Sequence, residues 1–377
     1  MPYTLPERVD HLHPPWEQEA GENPEVICYR SLPTFKILLK PYLAAFLAAA
    51  GKFTLQKERN MQTYLKSRPV GIQLLLFIGL AFGIFSIFSF AAATILPSVT
   101  GIDLQTFQKI ENWDGKSGNM LLFIRIMLII QFLGLFLIPT LLFGYFSDPE
   151  PMKYLGFKKP YHSSYLVLGI IVMLAAIPLV EYIGLVNKNL IIDNDTTQWM
   201  KELEESANRQ IKFMLRDRSV SEYLLNLVFI AGFAAVGEEL FFRGVLQRLF
   251  IKLTKNPWIG IILSAMLFSG FHLQFYGFFP RLLLGVVLGV LYWYSGSLWI
   301  AIIAHFVYDA LLVSLIYYNP KLIEDDSSTL LAPGQLAIMA LISAVICIFI
   351  VWRMVKTSPA KYSEIYRNDN PPDELSF

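Results

Sequence analysis

A run from residue 71 to 96, GIQLLLFIGLAFGIFSIFSFAAATIL, carries no charged side chain. An α-helix rises about 1.5 Å per residue, so roughly 20 such residues cross the hydrocarbon core of a bilayer. Seven further apolar segments follow, near residues 120–146, 164–186, 222–250, 257–274, 279–296, 298–318 and 334–353. Inside lipid every backbone N–H and C=O must find its partner within the protein, which a helix achieves by itself. The expected fold is therefore all-α, a polytopic transmembrane helical bundle of about eight spans. The fifth and sixth segments are short, and only Ser295-Gly296-Ser297 separates the sixth from the seventh, so the count rests on those three segments. With 55% hydrophobic and 16% charged residues the chain is too apolar for an ordinary soluble domain.

A net charge of +1 points to no polyanionic partner, and no nucleic-acid signature or Gly-rich phosphate loop is present. The expected surroundings are the lipid bilayer itself. Cys28 and Cys347 lie far apart in the chain and offer neither a disulfide framework nor a CxxC metal site. MPYTLPERVDHLHPPW has no apolar core of a signal peptide, so the spans are expected to direct insertion. Lys and Arg concentrate in alternate short loops: Lys66 and Arg68, then Lys153, Lys158 and Lys159, then Arg248, Lys252 and Lys255, then Arg353, Lys356 and Lys361. The positive-inside tendency places these loops in the cytoplasm, with both termini, and makes the plasma membrane the expected location.

Four regions are expected: a poorly ordered N-terminal extension at 1–60, membrane spans with an amphipathic interfacial helix at 61–220, a core at 221–318, and a last span with a cytoplasmic tail at 319–377. Within 196–216, Trp199, Met200, Leu203, Ala207, Ile211 and Met214 recur at helical spacing with charges between them, the pattern of a helix lying along the interface. It serves either as a solvated linker packed on the bundle or as a lid near a site. Pro139 and Pro178 fall late in the second and third segments and are expected to kink them. Arg125 is most simply a snorkelling residue.

Ionisable residues inside apolar segments are the candidates for chemistry, because burying them in hydrocarbon is costly. Glu238 and Glu239 are adjacent in FIAGFAAVGEELFFRGVLQRLF, with Arg243 four residues after the second. That spacing sets Glu239 and Arg243 on one helix face as an ion pair and turns Glu238 away by roughly 100°. One glutamate reads as structural and the other as available. His272 ends FSGFH, and His305 precedes Asp309 by one turn in AIIAHFVYDALL. Glu238, His272, His305 and Asp309 thus come from three segments. Small residues at Gly232, Ala234, Ala235 and Gly237, and at Gly285 and Gly289, read as close-packing surfaces.

EELFFR (Glu238 to Arg243), FSGFH (Phe268 to His272) and HFVYD (His305 to Asp309) match, in order, the EExxxR, FxxxH and HxxxN/D motifs. In these motifs and in the intervening LLLGVVLGVLYWYSGSLWIAIIAH the chain resembles the CPBP superfamily. That superfamily comprises type II CAAX prenyl endopeptidases, bacterial Abi and bacteriocin self-immunity proteins, and lysostaphin resistance protein A-like membrane proteins. The resemblance implies an intramembrane endopeptidase acting on a membrane-embedded or lipidated peptide. It casts Glu238 as the base for a water, His272 as the residue holding that water, and His305 with position 309 as the oxyanion partners. Glu239 and Arg243 are cast as a supporting brace. The prenyl endopeptidases carry Asn where this chain has Asp309, and an ionised carboxylate donates no hydrogen bond. Asp309 must then be protonated, or orient a protonated His305, or bind metal. No cofactor is favoured, but Glu238, His272, His305 and Asp309 would make a plausible zinc ligand set. The alternative function is a non-catalytic membrane partner or regulator of the self-immunity type.

Overall fold

The computed structural model describes residues 63–103, 105, 107, 117–190, 197–324 and 332–366, and the extension at 1–60 with Cys28 lies outside them. Among the described residues there are helices and no strands. The long helices are α1 (Val70–Thr100), α2 (Gly118–Ser147), α3 (Ser164–Leu190), α4 (Gln198–Met214), α5 (Val220–Thr254), α6 (Pro257–Phe271), α7 (Phe278–Ser295), α8 (Leu298–Tyr318) and α9 (Pro333–Thr357). All but α4 and α6 are long and apolar enough to cross a membrane, α7 together with the single turn at Phe275–Gly277 before it. The chain is an integral, multi-pass membrane protein.

The fifth apolar segment departs from expectation. Its helix stops at Phe271 after 15 residues, about 22 Å against a hydrocarbon core of about 30 Å. The chain turns back at once through Leu273, whose φ of +52° is a left-handed conformation uncommon for a residue with a side chain. Seven candidate spans and one short apolar helix therefore replace the expected eight. Because α6 and α7 form a hairpin that returns to its starting end, the other helices keep their alternation.

Apolar side chains face both ways, as a bundle in lipid requires. Phe77, Phe143, Phe241 and Leu291 are fully buried, while Leu75 and Phe90 on α1 and Leu341 and Ile348 on α9 are largely exposed on the outer surface. α3, α5, α7 and α8 pack about the centre, α1 and α2 against one side and α9 against α3 on the other. α6 lies along α7 through small residues. A Cβ on Gly285 would come within 3.0 Å of Ala265 Cβ, and one on Gly289 within 2.6 Å of Gln247 Oε1. The close-packing reading of these glycines thus describes the α6–α7 and α5–α7 contacts.

Both prolines mark irregularities. Pro139 follows a π-helical stretch, Gln131–Leu137, in α2, where a residue without an N–H suits a widened turn. Pro178 follows a break at Ala176 that divides α3. Arg125 does not snorkel. It forms an ion pair with Glu222 of α5, through both terminal guanidinium nitrogens, and lies over the Phe229 ring. A bilayer end carrying both an acid and a base on neighbouring helices lets them pair instead of reaching outward.

Candidate active site

Two π-helical stretches interrupt α5, at Leu227–Gly232 and Glu239–Gln247, the kind of local widening often met at functional sites. Between them Gly237 lets α2 approach, for a Cβ there would stand 3.0 Å from Phe132 and 3.1 Å from Phe136. The two glutamates diverge from this point. Glu239 is wholly buried and Arg243 nearly so, with Arg243 Nη1 donating to Glu239 Oε1 over 2.6 Å. Arg243 Nη2 donates to the Gly285 carbonyl at 2.9 Å, and its guanidinium lies 4.6 Å from the Phe268 ring centroid. A single arginine thereby ties α5 to α6 and α7.

Glu239 has a second partner that the sequence did not disclose. Its Oε1 also lies 2.9 Å from His305 Nδ1 on α8. An oxygen already accepting from arginine accepts here too, so Nδ1 carries a proton. His305 Nε2 then faces Asp309 Oδ2 at 3.3 Å. One proton shared across that gap, on the imidazole or on the carboxyl group, satisfies both atoms. Glu239 is therefore a positioning residue for His305 as well as a brace for the helix.

His272 is aimed by the end of α6. Its Nδ1 lies 2.8 Å from the Phe268 carbonyl, one of the orphan carbonyls of a helix C-terminus. A carbonyl can only accept, so Nδ1 donates and Nε2 is left with a lone pair. That lone pair faces Glu238 Oε1 at 3.9 Å, too long for a direct hydrogen bond. Two acceptors thus stand side by side at the cavity wall, close enough for one water in the cavity to reach both.

Glu238, His272, His305 and Asp309 all line one cavity of about 460 Å³, together with Ala234, Arg281 and Tyr308. Ala234, one turn before Glu238, forms part of the cavity wall, so not every small residue of α5 is a packing surface. A second, mostly apolar groove of about 270 Å³ runs between α2, α4 and α5 through Phe132, Phe136, Ile211 and Phe233 and also reaches Glu238.

Arg281, Gln274 and Glu204 were not singled out in the sequence. Arg281 donates to the carbonyl and the side-chain oxygen of Gln274, whose amide donates to Glu204 of α4 at 3.3 Å. Trp199 of the same helix meets the Phe275 ring edge-on. The amphipathic helix thus packs on the bundle beside the cavity, as both the linker and the lid expectations require. An arginine after Pro280 at a span end was the available signal for Arg281.

The four candidate zinc ligands do not form a zinc site as arranged. Both ring nitrogens of His305 are engaged by carboxylates, so a metal would have to displace Asp309 from Nε2. Among the described residues no cluster of three His, Cys, Asp or Glu side chains has metal-binding geometry.

Residues 220–311, from the first turn of α5 to the middle of α8, match the family model described as type II CAAX prenyl endopeptidase Rce1-like. Over these residues the chain matches the CPBP superfamily. All seven motif residues fall within this range, and at family level the match is to a prenyl-protease-type intramembrane endopeptidase. No curated protein and no solved structure matches the chain.

Proposed function

We propose that the protein is an intramembrane endopeptidase that hydrolyses a peptide bond of a membrane-embedded or lipidated substrate by a glutamate-activated water. The observation that carries this reading is the pair of acceptors, Glu238 Oε1 and His272 Nε2, side by side at 3.9 Å. A water in the cavity that reaches both donates one O–H to each, which orients its lone pair into the cavity. Glu238 takes the proton, the hydroxide adds to the carbonyl carbon, and the carbonyl π electrons move onto oxygen. The oxyanion accepts from the proton shared by His305 and Asp309, since either group donates in one of its two states. Glu238 then returns its proton to the amide nitrogen as the C–N bond breaks. This reading meets the Asp309 departure without metal.

The substrate class follows from the surroundings. A groove open between helices and floored by aromatic rings suits an acyl or prenyl chain or an apolar peptide segment, delivered to Glu238 from within the bilayer. The lysine-rich loops support a cytoplasmic side for the ends of α2, α5, α7 and α9.

The test is cleavage of a quenched, lipidated peptide by the purified chain in nanodiscs, with product termini mapped by mass spectrometry. Activity lost in Glu238→Gln, with the fold retained, supports the proposal. Equal cleavage by wild type and Glu238→Gln overturns the glutamate-activated water, and cleavage by neither, with no change in a mapped membrane proteome, leaves the non-catalytic partner as the better reading.

A further inference from the structure

The opposite end of the bundle holds a cleft that the chemistry above does not use. Its volume is about 480 Å³, and it lies where α2, α5, α7 and α9 end, with Arg248 ten residues beyond Glu238 on α5. Its walls are basic and aromatic. Two of its lysines have acidic partners, Lys66 with Asp148 at 3.3 Å and Lys153 with Glu150 at 2.7 Å. Lys158, Lys159 and Arg248 form no ion pair among the described residues. Arg248 instead lies over the rings of Tyr154 and Tyr366, at 4.4 and 5.6 Å from their centroids, and its Nε is buried with no hydrogen-bond partner.

The lysine loop is held in place. Leu298 donates its N–H to the Gly156 carbonyl at 2.8 Å, Ser297 Oγ donates to the Lys158 carbonyl at 2.6 Å, and Tyr161 N–H donates to the Ser295 carbonyl at 2.9 Å. The contact depends on two glycines with positive φ. A Cβ on Gly156 would stand 2.6 Å from Tyr292, and one on Gly296 would stand 2.5 Å from Tyr161. Lysines kept only for membrane orientation need to be on the correct side and nothing more. They need no clamped loop, no cleft and no arginine set among tyrosines.

We propose that this cleft binds a phosphate-bearing anion, with Lys158, Lys159 and Arg248 as its recognition groups. Arginine supplies forked donors and the lysines supply mobile ammonium groups, the pairing that phosphate oxygens accept best. Basic clefts between helices at the headgroup level take lipid phosphates in this way, and a free phosphate would use the same contacts. Burial and the nearby Arg248 guanidinium lower the Lys158 pKa from its ordinary value, against the opposing pull of Asp148 and Glu150.

The experiment uses the full chain in phosphatidylcholine nanodiscs. One arm titrates inorganic phosphate by calorimetry, and the other measures retention of phosphatidic acid, doped into the nanodiscs, by native mass spectrometry. Lys158→Gln combined with Lys159→Gln should weaken binding at least about tenfold, equivalent to ~1.4 kcal/mol. Lys255→Gln, on the same side but outside the cleft, should leave it unchanged. Phosphate bound in phosphatidylcholine alone identifies a soluble ligand, and selective retention of phosphatidic acid identifies a lipid. Binding of neither probe, or equal weakening by Lys255→Gln, overturns the proposal. Equal binding by wild type and the folded double variant overturns it too.

Discussion

Replacing Arg243 by Met isolates what the buried arginine does. The pair it forms with Glu239 has a 2.6 Å contact and almost no exposure at either side chain. At an effective dielectric of about 20, the attraction at that separation is about 6 kcal/mol, most of it offset by the cost of removing both charges from water. Deleting one partner cancels the attraction but leaves the other's desolvation, so Arg243→Met should lose about 3–5 kcal/mol of stability. Glu239→Gln should lose a similar amount, because Arg243 keeps only the Gly285 carbonyl and the Phe268 ring. The double variant removes both charges and should recover much of the loss, giving a coupling energy in the range of about 0.5–3 kcal/mol or above it. The assay is reversible unfolding in detergent micelles, with folded yield from size exclusion as a second measure. Additive losses in the double variant would refute the buried-pair reasoning. So would single variants as stable as wild type.

Glu238→Gln should fold normally and lose peptidase activity, since Glu238 has no charge partner to strand; unfolding of this variant with a normal Glu239→Gln protein would reverse the two roles. Asp309→Asn should keep much of the activity, because an amide donates where the shared proton did; a chelator should leave both enzymes unaffected. Stoichiometric zinc in wild type, lost together with activity in Asp309→Asn, would contradict this. Gly289→Ala should lower the unfolding midpoint by about 1–3 kcal/mol of stability, because its Cβ would press on Gln247, which itself donates to the Gly289 carbonyl at 3.0 Å.

What could be read in the chain depended on how far apart the interacting residues lie. The spans follow from long apolar runs, and the Glu239–Arg243 and His305–Asp309 pairs from i,i+4 spacing, so both were visible locally. His305 meeting Glu239 across 66 positions was not, because nothing in either segment encodes the face its partner presents. The same holds for Arg125 and Glu222, 97 positions apart, where an isolated arginine near a span end reads as a snorkel. The early end of α6 escaped for a different reason. The apolar run continues through Leu273, the residue that adopts the left-handed turn, and no glycine or proline there announces the reversal. Arg281 had only a position after Pro280 to recommend it.

The π-helical stretch at Glu239–Gln247 makes α5 two rods joined out of phase. An α-helix advances by about 100° per residue, so a widened turn acts as one extra residue spliced between the rods. Upstream, Phe233 stacks on Phe132 of α2 with ring centroids 4.4 Å apart; within the stretch and at its end, Arg243 and Gln247 bond to α7. Each rod is locked by its own neighbours, and Glu238 sits at the joint. Deleting a single residue from this stretch would let the ladder close as ordinary helix and demand a rotation of roughly 100° that neither set of neighbours permits. Loss of one position should therefore disrupt both sets of neighbours, whichever residue is removed.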